Sequence, residues 1–487
     1  MHALPIALAA VVALLSAPSA AAIPVLGNGA LENQPQFIGA PAKPRPVKAE
    51  KVPRHPFTAR NGRSAIHSDA YQTDTNTGSG PLGRGIETRS TLQAAECASV
   101  TFDRQGRIVT VCVGLQGPRL VLMDPRTLEE LAAFALPLRN PASLPSVFTD
   151  FSGGGYFYLD DRDRAVVPTT DGRILVIRET ATPGFRLERS YGVASELEQG
   201  EGINSALPDW EGRLWFVGTR GTVGVVDPGS GAVRSTSLGE DIENSFAVDR
   251  NGGVYIVTDR ALYRFDATRA GAPKVSWRET YANTGKQKPG QTDDASGTTP
   301  TLIGKRLVAI TDNADPVAID VFQRGRGVEG RRRVCRAPVF ERGASATDQS
   351  LIAAGRSIIA ENNHGYTGIA ATMNGRTTQP GIERVDLDRD GRGCKPVWRS
   401  EVHAPSAVPK LSLANGLVYT YTKEPTSDGT DPWYFTALDF RTGRTIYRAY
   451  AGSGFGFNNN YAPVTIGPDG TAYVGVIGGL VSFRDGG

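Results

Sequence analysis

The stretch that decides the fold is Ser245-Phe-Ala-Val-Asp-Arg-Asn-Gly-Gly-Val-Tyr-Ile-Val257. Two apolar runs flank a turn, and Asn-Gly or Asp-Gly between alternating apolar residues is the strongest short-range signal of a β-hairpin. The clearest other copies are Ala98–Val111, Ser205–Val217, Pro409–Tyr419 and Ala462–Val474, and less regular ones begin near Gly155, Thr299 and Ser350. The chain is therefore a series of repeated hairpins.

Each hairpin belongs to a larger repeating unit. After most hairpins a third apolar strand ends in an aspartate, as at Asp227, Asp266 and Asp439, and a more polar fourth strand follows. About eight such units, each roughly 40–58 residues long, predict a propeller, because a lone four-stranded meander cannot bury its faces without neighbours. We predict an all-β fold, a single β-propeller of about eight four-stranded blades over residues 97–487.

The two ends of the chain are predicted to meet in one blade. The last unit stops after its third strand, Leu480–Arg484. An open blade edge would pair with other chains, so the ring must be closed. We therefore assign the missing outer strand to Ile86–Leu92, within an N-terminal arm and closing strand that span residues 61–96.

Composition excludes some functions. The 487 residues carry 53 Lys and Arg against 50 Asp and Glu, a net charge of +3. A nucleic-acid binder would be strongly basic, and no later apolar run approaches the roughly 20 residues that span a bilayer. We expect a monomer with no nucleic-acid partner and no transmembrane span.

The N-terminal region predicts export. Residues 1–22 combine the apolar stretch Pro5–Leu15 with the small residues Ala20–Ala22, as in a cleaved signal peptide, which predicts a secreted, periplasmic or cell-surface protein. Residues 23–60 are interpreted as a Pro-rich basic linker. The next segment, 61–74, concentrates His67, Asp69, Tyr71 and Asp74 and is a candidate for an ordered arm.

The four cysteines are predicted to form two disulfides. Cys97 and Cys112 lie directly opposite each other across one hairpin, at a spacing near that of a disulfide. Cys335 and Cys394 lie in outer-strand segments of consecutive units, so a bridge between them joins neighbouring blades. Four free thiols are the alternative, which export disfavours.

One repeat resembles a known family. Ala437-Leu-Asp-Phe-Arg-Thr-Gly-Arg-Thr-Ile-Tyr447 is similar to the repeat Ala-x-Asp-x-x-Thr-Gly-x-x-x-Trp of quinoprotein-type (PQQ-like) propellers, with Tyr447 in place of the Trp. The chain as a whole resembles secreted bacterial propellers of this type. The resemblance implies a ring of about eight blades and names no substrate. Quinone enzymes of this type carry a vicinal Cys-Cys pair, which the sequence lacks, so PQQ is not expected.

A second resemblance concerns a cation. Glu243-Asn-Ser-Phe-Ala-Val-Asp249 is similar to metal-dependent lactonase and strictosidine-synthase-like propellers, which hold a central cation with Glu, Asn and Asp. By this resemblance Glu243 and Asn244, with Asn204, would be ligands of a metal in the central channel.

The two faces of the predicted ring differ in composition. The turns within the hairpins form one face, here called the hairpin-turn face, and carry ordinary Asp-Gly sequences. The opposite face, the polar face, receives the loops that lead into the innermost strands, including Asp293-Asp294 and Thr347-Asp348, and functional sites are usually built on such loops. The candidate ligand-binding residues there are Asp150, Asn204, Glu243, Asn244, Asp312, Asn313, Asp315, Asn362, His364, Lys410, Asn459 and Tyr461.

One acidic turn is a candidate calcium loop. Asp386, Asp388 and Asp390 alternate before Gly391, and Ca²⁺ prefers several oxygen ligands. Val397 stands where a helix-loop-helix site needs Glu, so a propeller loop is the expected setting. Ca²⁺ is thus the one candidate cofactor.

Two functions of different classes remain open. The first is a secreted propeller that presents its polar face to a glycan, a peptide, a protein or a polar small molecule. The second is an enzyme with a cation in the central channel that hydrolyses an ester or lactone; a quinone-dependent dehydrogenase is less favoured. No His-Glu-x-x-His or Gly-x-Ser-x-Gly motif occurs, so whether the protein is an enzyme is left open.

Overall fold

A computed structural model describes residues 34–114, 117–138 and 152–486. The predicted signal peptide and the candidate residue Asp150 lie outside the described residues. The described chain forms eight sheets that follow one another as the blades of a propeller, each with four antiparallel blade strands, and has almost no helix. The predicted all-β propeller of eight four-stranded blades is confirmed.

Three short strands precede the first blade: β1 (Phe37–Gly39), β2 (Thr75–Asn76) and β3 (Glu87–Leu92). Blade 1 consists of β4 (Ala95–Phe102), β5 (Ile108–Gly114), β6 (Gly117–Met123) and β7 (Glu130–Ala135), and blade 2 of β8 (Tyr158–Leu159), β9 (Arg164–Pro168), β10 (Arg173–Glu179) and β11 (Phe185–Gly192). Blade 3 consists of β12 (Ile203–Pro208), β13 (Leu214–Gly218), β14 (Thr222–Val226) and β15 (Val233–Ser237), and blade 4 of β16 (Ala247–Val248), β17 (Val254–Val257), β18 (Ala261–Ala267) and β19 (Pro273–Thr280).

Blades 5 to 8 follow the same order from the channel outward. Blade 5 consists of β20 (Thr301–Ile303), β21 (Leu307–Thr311), β22 (Ala318–Gln323) and β23 (Arg333–Pro338), and blade 6 of β24 (Ile352–Ala354), β25 (Ser357–Glu361), β26 (Ile382–Leu387) and β27 (Cys394–Ser400). Blade 7 consists of β28 (Lys410–Ser412), β29 (Leu417–Thr422), β30 (Pro432–Asp439) and β31 (Thr445–Ser453), and blade 8 includes β32 (Val464–Ile466), β33 (Ala472–Val476) and β34 (Gly479–Arg484). In the described ranges, three short 3₁₀ helices occur in the connections: Ala194–Glu196, Ile369–Thr372 and Phe455–Phe457.

An N-terminal strand closes the ring, as the truncated last repeat predicts. Strand β3 pairs antiparallel with β34 from Glu87 opposite Arg484 to Leu92 opposite Gly479 and completes blade 8. The ring of Phe102 in blade 1 lies 5.6 Å from that of Tyr473 in blade 8, so the first and last blades pack together. Both ends of the propeller are thereby held in one sheet.

The core lies between the blades. Every residue of β13 and β14 is buried, because neighbouring blades cover both faces of each sheet and leave no solvated side on the middle strands. Aromatic rings fill the gaps, as where Phe435 of blade 7 stacks on Phe483 of blade 8 at 4.6 Å. The outermost strands are more exposed, which accounts for their polar sequences.

Both predicted disulfides are present. Cys97 and Cys112 face each other in the register of β4 and β5, with Cα atoms 4.0 Å apart. Cys335 of β23 and Cys394 of β27 join the outer strands of blades 5 and 6, with Cα atoms 5.9 Å apart. Two disulfides are compatible with an extracytoplasmic protein. Within the described ranges, no helix is long and apolar enough to cross a membrane.

The segment between β1 and β2 first crosses the hairpin-turn face. We call residues 40–63 the strap. Its Val47 donates a backbone hydrogen bond to Leu413 at the turn of blade 7, the His55 ring lies 4.0 Å from that of Trp210 at blade 3, and Thr58 forms a β-bridge with Asp160 at blade 2. The strap therefore runs backward around the ring, from blade 7 towards blade 1.

The chain then turns into the channel. Residues 64–76, here called the plug, follow the innermost strands in the opposite direction. Backbone N–H groups of six blades donate to carbonyls at the end of the strap and along the plug: Phe102 to Arg63, Leu159 to Ser64, Val248 to Ala70, Leu302 to Tyr71, Ala353 to Thr73 and Leu411 to Asp74. The Asn76 side chain donates to Ile466 O of blade 8, and β2 pairs in parallel with β28. The plug thus closes the hairpin-turn end of the channel.

Loss of the bridge between blades should weaken the fold more than loss of the bridge within a hairpin. The chain-entropy model assigns about 3 kcal/mol to a closed loop of about 15 residues and about 4 kcal/mol to one of about 60. Paired Cys335→Ala/Cys394→Ala substitutions should therefore lower the free energy of unfolding in urea more than Cys97→Ala/Cys112→Ala. The reverse order would show that geometry in the short hairpin outweighs loop length.

Removal of the N-terminal segment should destabilise the ring. A chain that begins at Cys97 lacks β3 and the plug, so it exposes the edge of β34 and the unpaired inner edges of six blades. We expect this chain to be insoluble or to melt at least about 10 °C below one that begins at Ser64, as measured by calorimetry. Equal melting temperatures would show that N-terminal closure contributes nothing to stability.

Candidate functional site

The acidic residues of the hairpin-turn face serve the turns themselves. Oδ1 of Asp103 accepts the backbone N–H of Arg107 at 2.7 Å, and Oδ2 accepts from the guanidinium of the same residue at 2.6 Å. Asp160 binds Arg164, and Asp209 binds Arg213, in the same way. These carboxylates are therefore occupied within their own turns.

The strap and the plug leave a small basic cavity on this face. It has a volume of about 100 Å³ and lies against the turns of blades 4 to 6. Lys51, Arg250 and Lys305 line it together with Glu50, which lies 3.9 Å from the Lys305 ammonium.

The opposite mouth of the channel is polar and reached by solvent. The side chains of Glu96, Tyr156, Glu243, Asp348 and Tyr461 lie deep in the ring, yet each residue keeps part of its surface accessible. The pKa values of the two tyrosines reflect their carboxylate neighbours. Burial raises the pKa of Tyr156, and the charges of Asp348 and Glu243 raise it further. Burial and the charge of Asp348 also raise the pKa of Tyr461. We call this recess, closed below by the plug, the well.

Hydrogen bonds fix the wall of the well. The Tyr156 hydroxyl donates to Oδ1 of Asn244 at 3.3 Å, and Nδ2 of Asn244 donates to Ser296 O at 3.3 Å. The hydroxyls of Ser205 and Ser245 lie 2.7 Å apart, which links blades 3 and 4. The wall is therefore held by side chains from several blades.

Two carboxylates in the well lack partners for one oxygen each. Oδ2 of Asp348 accepts the backbone N–H of Thr292 at 2.6 Å and its hydroxyl at 2.9 Å, and Oδ1 of Asp293 accepts Ala295 N–H at 3.0 Å. Within the part of the chain that the structure describes, Oδ1 of Asp348 and Oδ2 of Asp293 have no hydrogen-bond partner. Buried acceptors without partners are costly, so these two oxygens lower the stability of the fold while they stay unpaired.

Burial makes the acids of the well weak. It raises the pKa of Asp293 to about 7 and that of Asp348 well above its usual range; the charge of Asp293 raises the pKa of Asp348 further, and the charge of Asp294 does the same for Asp293. Burial also raises the pKa of Glu96 to about 8, although Asn460 N–H donates to that carboxyl at 3.1 Å. Burial therefore favours the protonated form of these carboxyls near neutral pH.

The floor of the well is a buried charged cluster that joins the plug to the blades. The ammonium of Lys410 contacts the carboxylate of Asp74 and donates to Ile66 O at 2.8 Å. Nδ1 of His67 lies 3.0 Å from Oδ2 of Asp74, and the His67 ring centroid lies 6.1 Å from that of Tyr156. Tyr156 therefore connects the wall of the well to its floor.

Five of the sequence-derived candidates lie in or beside the well. Glu243, Asn244 and Tyr461 belong to its wall and Lys410 to its floor. Asn204 is buried beside them and donates to Ile242 O at 3.4 Å. Tyr461 has a left-handed backbone (φ 62°), a conformation that only surrounding contacts can maintain for a side chain of this size.

The other described candidates hold loops in place. Nδ2 of Asn362 donates to Ala344 O and Pro380 O, and Nδ2 of Asn459 donates to Ala462 O and Gly475 O. Asn313 donates to three acceptors, Asp312 is paired with Arg336 at 2.7 Å, and Asp315 accepts Gly343 N–H at 2.7 Å. His364 is half-buried, and burial lowers its pKa with a further contribution from the Lys288 charge. These residues shape the polar face.

Two carboxylates of the candidate calcium loop accept hydrogen bonds from nearby arginines. Asp386 accepts two hydrogen bonds from the guanidinium of Arg384, each of 2.7 Å, while Asp390 accepts Arg392 N–H at 3.1 Å. Across the described ranges, no three His, Cys, Asp or Glu side chains are grouped so that they could hold a metal ion. Calcium binding at Asp386, Asp388 and Asp390 stays a prediction.

Sequence reasoning missed Glu96 and Tyr156. Glu96 immediately precedes Cys97 within β4, and a charged residue in an apolar innermost strand is a signal that could have identified it. Tyr156 follows a run of glycines and belongs to no repeat motif, so its place in the channel depends on contacts distant in sequence.

Comparisons with known proteins give few close relatives. The chain is 30% identical over 319 residues to an uncharacterised protein of Archaeoglobus fulgidus, a match that covers 58% of this chain. It spans about three fifths, 61%, of the length of that curated relative. No protein-family model matches the sequence.

Among solved structures, the chain is similar to BamB from Moraxella catarrhalis, with 13% identity, a TM-score of 0.49 and coverage of 82% of this chain and 97% of that one. It is also similar to a streptogramin B lyase, with 9% identity, a TM-score of 0.40 and the same coverage. At these identities neither likeness bears on function.

The weak acids of the well should make stability depend on pH. The folded chain binds these protons more tightly than the unfolded chain does. The stability that this difference in proton binding contributes is therefore fully present below about pH 4 and is lost as the pH rises through about 7. Asp348→Asn keeps an acceptor for Thr292 and cannot ionise. We expect its melting temperature to exceed that of the wild type by about 3 °C or more at pH 8, and the gain to vanish at pH 4.

The matched control is Asp390→Asn, an exposed carboxylate in a turn of the hairpin-turn face. Its melting temperature should equal that of the wild type at both pH values. A lower melting temperature for Asp348→Asn at pH 8 would contradict the assignment of a raised pKa to this carboxyl.

Proposed function

We propose that the protein is a binding propeller that takes a polar, donor-rich ligand into the well on its polar face. The ligand would be an amine-bearing or hydroxylated group of a glycan, a peptide or a small molecule, free or displayed on a protein. The observation that carries this proposal is the pair of partnerless oxygens on Asp348 and Asp293 at the open end of a channel whose other end is plugged.

The ligand chemistry follows from the atoms that are available. The partnerless oxygens accept hydrogen bonds, and the charged form of the carboxyls is suppressed by burial. An ammonium or several hydroxyls would supply donors, and an ammonium would also stabilise the ionised form. Tyr156 and Tyr461 add apolar ring surface beside these acceptors, and such mixed lining is typical of small-ligand sites.

The proposal also covers the cellular location of the protein and the type of its repeat. We infer a secreted, periplasmic or cell-surface monomer whose residues 1–22 are removed as a signal peptide, and a repeat of the quinoprotein-like type. Two disulfides and the near-neutral charge of the chain support this setting.

The test starts from arrays of immobilised glycans and basic peptides, followed by calorimetric titration of the strongest binder at pH 7. Asp348→Asn replaces an acceptor oxygen by a donor, and loss of a hydrogen bond to a charged group costs about 1.5–3 kcal/mol. We therefore expect the affinity to fall about 10- to 100-fold. Titration with CaCl₂ distinguishes a cation site from an organic ligand site.

Two variants serve as controls. Asp320→Asn changes a carboxyl that is also buried, also without hydrogen-bond partners and also raised in pKa to about 7, but that lies in β22 beside Arg333. Gln105→Asn changes an exposed turn of the hairpin-turn face. Both should bind as the wild type does. Equal weakening by Asp348→Asn and Asp320→Asn, or a bound ligand on the hairpin-turn face, would refute the proposal.

A further inference from the structure

A serine, a histidine and an aspartate are aligned at the floor of the well. Nδ1 of His67 lies 3.0 Å from Oδ2 of Asp74, and Nε2 of His67 lies 3.3 Å from Oγ of Ser350. His67 and Asp74 belong to the plug, whereas Ser350 lies two residues before the first strand of blade 6. The hydrogen-bonded series therefore forms only when the plug is seated in the channel.

The surroundings fix which nitrogen of His67 carries the proton. Burial alone would raise the pKa of Asp74, but the Lys410 ammonium and His67 outweigh it and lower that pKa. An ionised Asp74 accepts the Nδ1 proton, so Nε2 is the nitrogen with a free lone pair. That nitrogen faces the Ser350 hydroxyl, which is the arrangement a general base requires.

The three side chains are buried but adjacent to the open recess. Ser350 is 4% exposed, His67 2% and Asp74 0%. The Tyr156 ring, part of whose surface reaches solvent, lies 6.1 Å from the His67 ring. The Tyr156 ring therefore connects the buried histidine to the part of the channel that solvent reaches.

Backbone strain is concentrated at the same place. Ser68, Gln72 and Asp74 in the plug have φ values of 73°, 57° and 52°, in the left-handed region that residues with side chains seldom adopt. Such conformations persist where the surroundings over-determine them, and they cluster at functional sites. The strain therefore accompanies the exact placement of the His67 and Asp74 side chains.

We propose that Ser350 is a nucleophile for acyl transfer, with His67 as its general base and with Asp74 and Lys410 as positioning residues. The substrate class is a small ester whose acyl or alcohol part carries the hydroxyl or amine groups that the well accepts. This inference rests on the proposed function, because the ester would enter through the same well.

The reaction balances with water as the second substrate. Oγ of Ser350 forms a bond to the ester carbonyl carbon while its proton moves to Nε2 of His67. The bond from that carbon to the alcohol oxygen then breaks, and the Nε2 proton passes to the departing alcohol. Water next attacks the acyl-serine, gives a proton to Nε2, and releases the carboxylic acid as Oγ of Ser350 regains its proton.

The test uses the full-length protein and a fluorophosphonate probe, which loses fluoride as it forms a covalent bond to an activated serine. We expect one phosphonyl group per chain, located at Ser350 by peptide mapping, and none in Ser350→Ala. His67→Gln retains a donor to Asp74 but no base, so its rate of labelling should fall about 100-fold or more. In Asp74→Asn the pH midpoint of labelling should shift, a change that a merely structural contact would not produce.

The matched control is Ser412→Ala, which removes another buried serine hydroxyl of an innermost strand, one that donates to Gly78 O and is not paired with a histidine. It should be labelled at the wild-type rate. Absence of labelling in the folded wild type, labelling of another serine, or an unchanged rate in His67→Gln would overturn the inference. Ligand binding by the same protein, measured by titration, would then show that the binding proposal survives without the nucleophile.

Discussion

The structure depends on how the inner edges of the blades are satisfied. The innermost strand of a blade has a neighbour on one side only, so its other edge presents unpaired N–H groups to the channel. The end of the strap and the plug accept such groups from six blades, while β3 pairs with the exposed edge of β34. One N-terminal segment therefore seals both the channel and the ring, and the apolar packing between blades depends on that closure.

The same constraint places charged groups where charge is costly. To reach successive inner edges, the plug adopts left-handed conformations at Ser68, Gln72 and Asp74. It carries His67 and Asp74 into the channel, where Lys410 is the counterion of Asp74. Buried ion pairs of this kind are weak evidence for stability, since desolvation offsets their attraction. Their effect is geometric, because they fix the plug in one register against blades 6 and 7.

The sequence predicted what local patterns encode and failed where contacts are distant. Hairpins, the eight blades, the closing strand and both disulfides follow from turns, alternation and spacing within neighbouring units. The course of the strap does not, because residues 40–63 have no period and contact blades 7, 5, 3, 2 and 1 in succession. Among the site candidates, sequence position could not distinguish Asn244, whose amide binds Tyr156 in the well, from Asn362, whose amide binds its own loop.

The buried carboxyls differ in whether a cation lies beside them. Asp320 has no hydrogen-bond partner, yet the charges of Arg333 and Arg336 lower its pKa against the effect of burial. Asp348 has no such cation: burial and the charge of Asp293 both raise its pKa, and only Thr292 opposes them. A site that keeps two neighbouring acids without a counter-charge loses stability near neutral pH. Protonation of these acids at lower pH removes that loss.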